Sequence, residues 1–152
     1  MKGNPIIILL VEDDIAHAEI VRRNFSKSRI ANCLMHVEDG QAALDYLYRR
    51  NGFGDPAGSP RPGIILLDLR LPKVDGLEVL KTVKADSDLG RIPVVVLTTS
   101  ASEKDVVKAY ENHANSYLVK PVDFEQFTEM METLGYYWLA WNEYPYGATC
   151  TD

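Results

Sequence analysis

Glu12 and Asp13 follow the apolar run Ile6–Val11, Asp68 follows Ile64–Leu67, Thr98 follows Val94–Leu97, and Lys120 follows Tyr117–Val119. Each run has the length and composition of a buried strand, so each polar group stands where a strand would end. In an open parallel α/β sheet the carboxyl ends of the strands share one edge, and ligands bind there. Such an edge would gather three carboxylates, a hydroxyl and an ammonium. Hard carboxylate oxygens select a cation such as Mg²⁺, and carboxylates crowded together repel one another unless a cation sits among them. A carboxylate in that setting can also attack phosphorus and form an acyl phosphate.

The elements that must position these groups alternate along the chain. Apolar runs of strand length are separated by segments of helical period, the pattern of repeated βα units on a parallel sheet. The first strand, Ile6–Val11, leads to a helix over about Ile15 to Ser26 with Ile20, Val21 and Phe25 on its inner face. Cys33–Val37 is a weaker strand. Asp39-Gly40 then turns the chain into a helix bearing Ala43, Leu44 and Leu47. Ile64–Leu67 is the third strand, and Leu77, Val79, Leu80 and Val83 mark the next helix. Val94–Leu97 is the fourth strand. Ser102 with Asp105 three residues on signals a capped helix to about Tyr110, with Asp a weaker reciprocal partner than Glu. Ser116–Val119 is the fifth strand, and a last helix opens near Asp123 and runs to about Trp141. Five such units with short links suggest a single doubly wound α/β sheet with helices on both faces, and the order 2-1-3-4-5 is taken from flavodoxin-like folds of this kind, since spacing alone does not give it.

Composition narrows the function. At 152 residues the chain fits one domain. A net charge of −6 lacks the basic surplus of a nucleic-acid binder. The six-residue apolar run after Met1–Pro5 is too short for a signal-peptide core or a membrane span. Cys33 and Cys150 show no CxxC spacing and read as free thiols of a reducing compartment, which places the protein in the cytoplasm.

Ile8-Leu9-Leu10-Val11-Glu12-Asp13-Asp14, Ile65-Leu66-Leu67-Asp68-Leu69-Arg70-Leu71-Pro72 with Asp75-Gly76, Pro93-Val94-Val95-Val96-Leu97-Thr98, and Lys120-Pro121 together resemble the receiver domain of two-component response regulators. The resemblance covers about residues 5 to 135 in order. It implies Asp68 as phosphoacceptor, with Mg²⁺ bound directly by Asp13 and Asp68, through water by Glu12, and by the backbone carbonyl of Arg70. It further implies that Lys120 and the Thr98 hydroxyl contact the phosphoryl oxygens, that Thr98 and Tyr117 form the switch pair, and that the Lys120–Pro121 bond is cis. Asp14 would point away from the metal, and Arg70 and Ser100 would flank the phosphoryl group.

On this resemblance the chain is a phosphoacceptor switch, not an enzyme beyond weak self-catalysed phosphorylation and dephosphorylation. Residues 1–141 would form the receiver and 142–152 a tail too short for an output domain. The alternative is an adaptor of receiver fold that works without phosphate. A haloacid-dehalogenase-type phosphatase carries a second Asp two residues beyond its nucleophile, where this chain has Arg70, which cannot give up a proton.

Two further segments stand out. Asn51–Pro62 is a long Gly/Pro-rich link, either a tolerated loop or a partner contact. In the last helix, Phe124, Phe127, Met131, Leu134 and Trp138 form a seam that one sheet face can bury. Met130, Tyr137 and Trp141 widen it, and Tyr136, Tyr144, Pro145 and Tyr146 add aromatic surface that either folds back or pairs with a partner. Long link and aromatic extension resemble the regulators paired with phytochrome-type histidine kinases, which implies such a kinase as partner and a homodimer through the strand 4–helix 5 side. His17, His36 and His113 fall on separate segments and read as solvated or core-edge residues.

Overall fold

In the computed structural model, which describes residues 5–144, every expected strand is present. The elements are β1 (Ile6–Val11), α1 (Ile15–Ser26), β2 (Asn32–Val37), α2 (Gly40–Tyr48), β3 (Ile64–Leu67), α3 (Gly76–Ala85), β4 (Val94–Thr98), α4 (Glu103–Glu111), β5 (Ser116–Val119) and α5 (Phe124–Tyr136). The strands form one parallel sheet in the order β2-β1-β3-β4-β5. β3 and β4 are buried throughout and β1 nearly so, whereas β2 and β5 at the edges are largely half-buried. Strands covered on both faces read as unbroken apolar runs, which is why the central three were the plainest in the sequence.

Alternation along each strand divides the core in two. Leu9, Val11, Ile65, Leu67, Val94 and Val96 pack with Leu44 and Leu47 of α2, Val79, Leu80 and Val83 of α3, and Ala109 of α4. Ile8, Leu10, Ile64, Leu66, Val95 and Leu97 pack with Ala18, Val21 and Phe25 of α1 and with Phe127 and Met131 of α5. Register then sets the site. Val11 pairs with Leu67, and Thr98 pairs with Val119, so Glu12 and Asp68 leave the sheet side by side, with Lys120 one step beyond Thr98.

Each α-helix starts on a side-chain cap. Asp14, Asp39, Asp75, Ser102 and Asp123 accept from first-turn amides of α1 to α5 in turn; such caps contribute about 1 kcal/mol each. Gly76, the first residue of α3, lies so close to the acceptor strand that a Cβ would stand 2.2 Å from the Asp68 carbonyl oxygen and 2.5 Å from Leu69 Cα. Both obstacles are backbone. Gly76→Ala is therefore expected to cost about 1–3 kcal/mol or more and to displace the loop that carries Asp68. Urea unfolding with unchanged midpoint would contradict this packing.

The Asn51–Pro62 link is anchored along its second half. Tyr46 Oη donates to Pro60 O at 2.7 Å, Arg49 Nε to Ser59 O at 3.2 Å, and Arg61 to Leu47 O at 2.8 Å. Arg61 also reaches Asp88 at 3.3 Å, and Phe53 packs edge-on against Tyr46. Arg49 and Asn51 take left-handed φ values of 54° and 50° to reverse the chain at the end of α2. The link thus covers the carbonyl end of α2.

Three expectations are corrected. Cys33 is disulfide-bonded and not a free thiol; the chain has one other cysteine, Cys150, which lies outside the described residues with Pro145 and Tyr146. The absence of a CxxC motif speaks only to local pairing and could not exclude a disulfide. The Lys120–Pro121 bond is trans, since no peptide bond among the described residues is cis; an X–Pro bond favours trans by about 0.5–1 kcal/mol where nothing overrides it. Phe124 leaves the seam: it is 61% exposed, beside fully exposed Val122, because Val122 to Gln126 all face solvent and α5 first meets the core at Phe127. Phe127, Met131 and Trp138 do face the core, joined by Leu139. Leu139 enters because Tyr137–Trp141 widens into a π-helical turn, closed by Asn142 N donating to Tyr137 O at 3.0 Å. Tyr136, Tyr137 and Trp141 stay exposed.

Candidate functional site

Lys120 crosses the carboxyl edge of the sheet to reach groups from the ends of β1 and β3 and from the first turn of α1. Its Nζ donates to Asp68 Oδ2 at 3.0 Å, to Glu12 Oε1, and to His17 Nδ1 at 3.0 Å. Lys120, Glu12 and Asp68 are all buried. Ion pairs so deep persist where further hydrogen bonds support them, and here the other oxygen of each carboxylate also finds a donor. Glu12 Oε2 accepts from Asp14 N at 3.1 Å, and Asp68 Oδ1 accepts from Arg70 N at 3.3 Å.

Asp13, exposed at the mouth, completes an acidic cluster. Glu12, Asp13 and Asp68 each place a carboxylate oxygen within 4.8 Å of the others. One ammonium against three carboxylates leaves a surplus of negative charge on hard oxygen donors, which suits a divalent cation. The structure thus brings together the side chains of Glu12, Asp13 and Asp68. Arg70 was expected to contribute only its backbone carbonyl, and its side chain turns toward Asp105.

Burial pushes the Glu12 carboxyl up to about 7, with the Asp68 charge adding to the push and Lys120 opposing it. A value above the ordinary 4.5 means that this group stabilises the metal-free fold below that pH and loses the contribution as pH rises through about 7. In EDTA, the melting temperature of the wild type is expected to fall between about pH 5 and 7 more steeply than that of Glu12→Gln. Added Mg²⁺ should restore more at the upper end, because a metal binds the ionised carboxylate. Parallel slopes for the two proteins would refute the assignment.

A second network joins Thr98 and Tyr117, the pair expected to act as the switch. Thr98, fully buried, accepts at its hydroxyl from Ser100 N at 3.4 Å, and Tyr117 Oη donates to Ser100 O at 2.9 Å. The two side chains expected to move together are thus linked through one residue's backbone. Ser100 Oγ donates to Asp105 Oδ2 at 2.6 Å, and Arg70 reaches the same oxygen at 2.5 Å. Asp105 had read as a weak capping partner; its side chain instead ties the loop after β3 to the start of α4. Ser102 still caps that helix, accepting from Asp105 N.

Sequence reasoning missed two residues. His17 stands on the first turn of α1 against Lys120, and His36 Nε2 donates to the Glu12 carbonyl at 2.8 Å. Neither has a motif signal, since each partner is distant in sequence. His113 is exposed, as expected. Asp14 caps α1 and lies outside the acidic cluster.

With this geometry in place, comparison with known proteins is informative. Residues 8–132 match the family model described as response regulator receiver domain. A curated relative, the probable methanogenesis regulatory protein FilR2 of Methanothrix harundinacea, is 49% identical over 93% of this chain and 89% of its own length. Response regulator Rcp1 of Synechocystis sp. is 45% identical over 89% of this chain and 90% of its length. The crystal structure of Mn²⁺-bound Rcp1 superposes with a TM-score of 0.89, covering 93% of this chain and 100% of that one at 43% identity. The phosphorylated cyanobacterial phytochrome response regulator RcpA also gives 0.89, at 36% identity over 93% and 99%.

Proposed function

The chain belongs to the response regulator receiver family, and from that premise we propose that Asp68 accepts a phosphoryl group from a histidine kinase and that the phosphate biases protein contacts. The observation that carries this reading is Asp68 itself: a buried carboxylate at a strand end, 3.0 Å from a buried ammonium and inside a three-carboxylate cluster. An Asp68 oxygen attacks phosphorus in line, the P–N bond to the donor imidazole breaks, and the imidazole leaves. Phosphoryl transfer asks little of a protein beyond positioning and charge stabilisation.

Lys120 neutralises a phosphoryl oxygen, and the Thr98 hydroxyl donates to another once it turns from Ser100. Asp13, Asp68 and the Arg70 carbonyl, with Glu12 through water, would hold Mg²⁺, which would offset charge on the transferring group. When Thr98 turns, the Ser100 backbone and Tyr117 follow, a bias on the order of 1–3 kcal/mol. Weak self-catalysed phosphorylation and dephosphorylation come from the same groups.

Residues 1–141 act as the receiver unit and 142–152 as its tail. The kinase is of phytochrome type on the likeness to the cyanobacterial phytochrome response regulator RcpA, although FilR2 carries a methanogenesis name. Exposed Tyr136, Tyr137 and Trp141 favour a homodimer through the β4–α5 side. No described helix is long and apolar enough to cross a membrane, and a kinase that draws phosphate from ATP places the exchange in the cytoplasm.

The test is incubation with acetyl phosphate, with Mg²⁺ or EDTA, followed by intact mass and peptide mapping. Metal-dependent addition of one phosphate to the peptide containing Asp68 is expected. Phosphate on any other peptide, or equal uptake in EDTA, would refute the acceptor and the metal respectively.

A further inference from the structure

We propose that His17 is a positioning residue for phosphoryl acceptance: its Nδ1 holds the Lys120 ammonium in the setting that faces Asp68. The proposal deepens the reading of Asp68 as phosphoacceptor and rests on it. An ammonium donates three hydrogen bonds and accepts none. At 3.0 Å from Lys120 Nζ, His17 Nδ1 must therefore present its lone pair, which assigns the ring proton to Nε2. Glu12 Oε1, Asp68 Oδ2 and His17 Nδ1 then take the three N–H bonds of Lys120.

The three acceptors differ in what phosphorylation does to them. Asp68 loses its carboxylate charge when its oxygen is phosphorylated, and a bound cation draws on Glu12. His17 is neutral and lies outside the acidic cluster, so it is the acceptor that neither event alters. It keeps Nζ at the site while a phosphoryl oxygen replaces the departing carboxylate.

His17 is itself held from several sides. Asp14 Oδ1 accepts from its backbone amide at 3.1 Å, fixing the first turn of α1. Its ring meets buried Phe127 edge-on, with centroids 5.6 Å apart at 64°. Burial, and then the Lys120 charge, lowers its tendency to protonate, which keeps the lone pair available. Asp14 Oδ2, at 3.6 Å from Nδ1, is too far to accept a hydrogen bond from a proton there, so it does not favour the other tautomer.

The test compares wild type, His17→Leu, His17→Ala and His17→Asn. Leu keeps apolar contact with Phe127 but has no acceptor. Ala makes no packing demand, and the Asn side-chain oxygen can replace Nδ1. Phosphate uptake from acetyl phosphate with Mg²⁺ is timed by mass and normalised to the folded fraction. Uptake is expected to slow about tenfold in the Leu and Ala variants and to stay within about twofold of wild type in the Asn variant. Affinity for beryllofluoride, a phosphoryl mimic, should follow the same order, while affinity for Mg²⁺ alone should not change.

Wild-type rates in the Leu and Ala variants would overturn the proposal. So would an Asn variant as slow as Ala, or a loss of Mg²⁺ affinity that matches the loss of rate, since either points to a structural role. A wild type that takes up no phosphate at Asp68 removes the underlying reading, and this proposal with it.

Discussion

Asp68→Asn is expected to take up no phosphate from acetyl phosphate or from a phosphorylated kinase, at any Mg²⁺ concentration. An amide oxygen is a far weaker nucleophile than a carboxylate and cannot form the acyl phosphate. The fold should survive. Asn has the same shape, its oxygen can still accept from Lys120, and its loss of charge relieves the repulsion that helps to raise Glu12. Unfolding free energy is expected within about 1 kcal/mol of wild type. Divalent-metal affinity should fall, because a cluster of Glu12, Asp13 and Asp68 becomes a pair of carboxylates. Phosphate appearing on the variant would show that the acceptor lies elsewhere, and an unfolded variant would show that the carboxylate is structural.

Lys120→Ala should fail in two separable ways. Lys120 is buried and pairs with both Glu12 and Asp68, so its removal leaves two buried acids without a counter-charge. Breaking one side of such a pair costs about 3–5 kcal/mol, and Glu12 can lessen this by holding its proton to still higher pH. Mg²⁺ should restore much of the loss, because a cation among the carboxylates supplies the missing charge. Phosphorylation should nonetheless remain slow, by roughly 10²–10³-fold, the scale for losing one preorganised donor to a developing charge. Thermal melts with and without Mg²⁺, run beside the mass assay, separate the effects. If Mg²⁺ recovered the rate as fully as the stability, Lys120 would be structural only.

The sequence by itself determined the frame and the ends of its strands. Buried parallel strands must be apolar throughout, so β1, β3 and β4 were legible as runs, and the polar residue that breaks each run marks the sheet edge. Glu12, Asp13, Asp68, Thr98 and Lys120 were found for that reason. Helix starts at Ser102 and near Asp123 were legible because a cap acts over two or three residues. What tertiary structure decided are contacts between segments far apart in the chain. Lys120 meets His17 across 103 positions, and Arg70 meets Asp105 across 35. The bonding of Cys33, the anchoring of the Asn51–Pro62 link on α2 and the exposure of Phe124 are of the same kind. Local polarity and period report whether a side chain faces core or solvent within its own element. They carry no information on which other element arrives opposite it, and sheet order and register supply that.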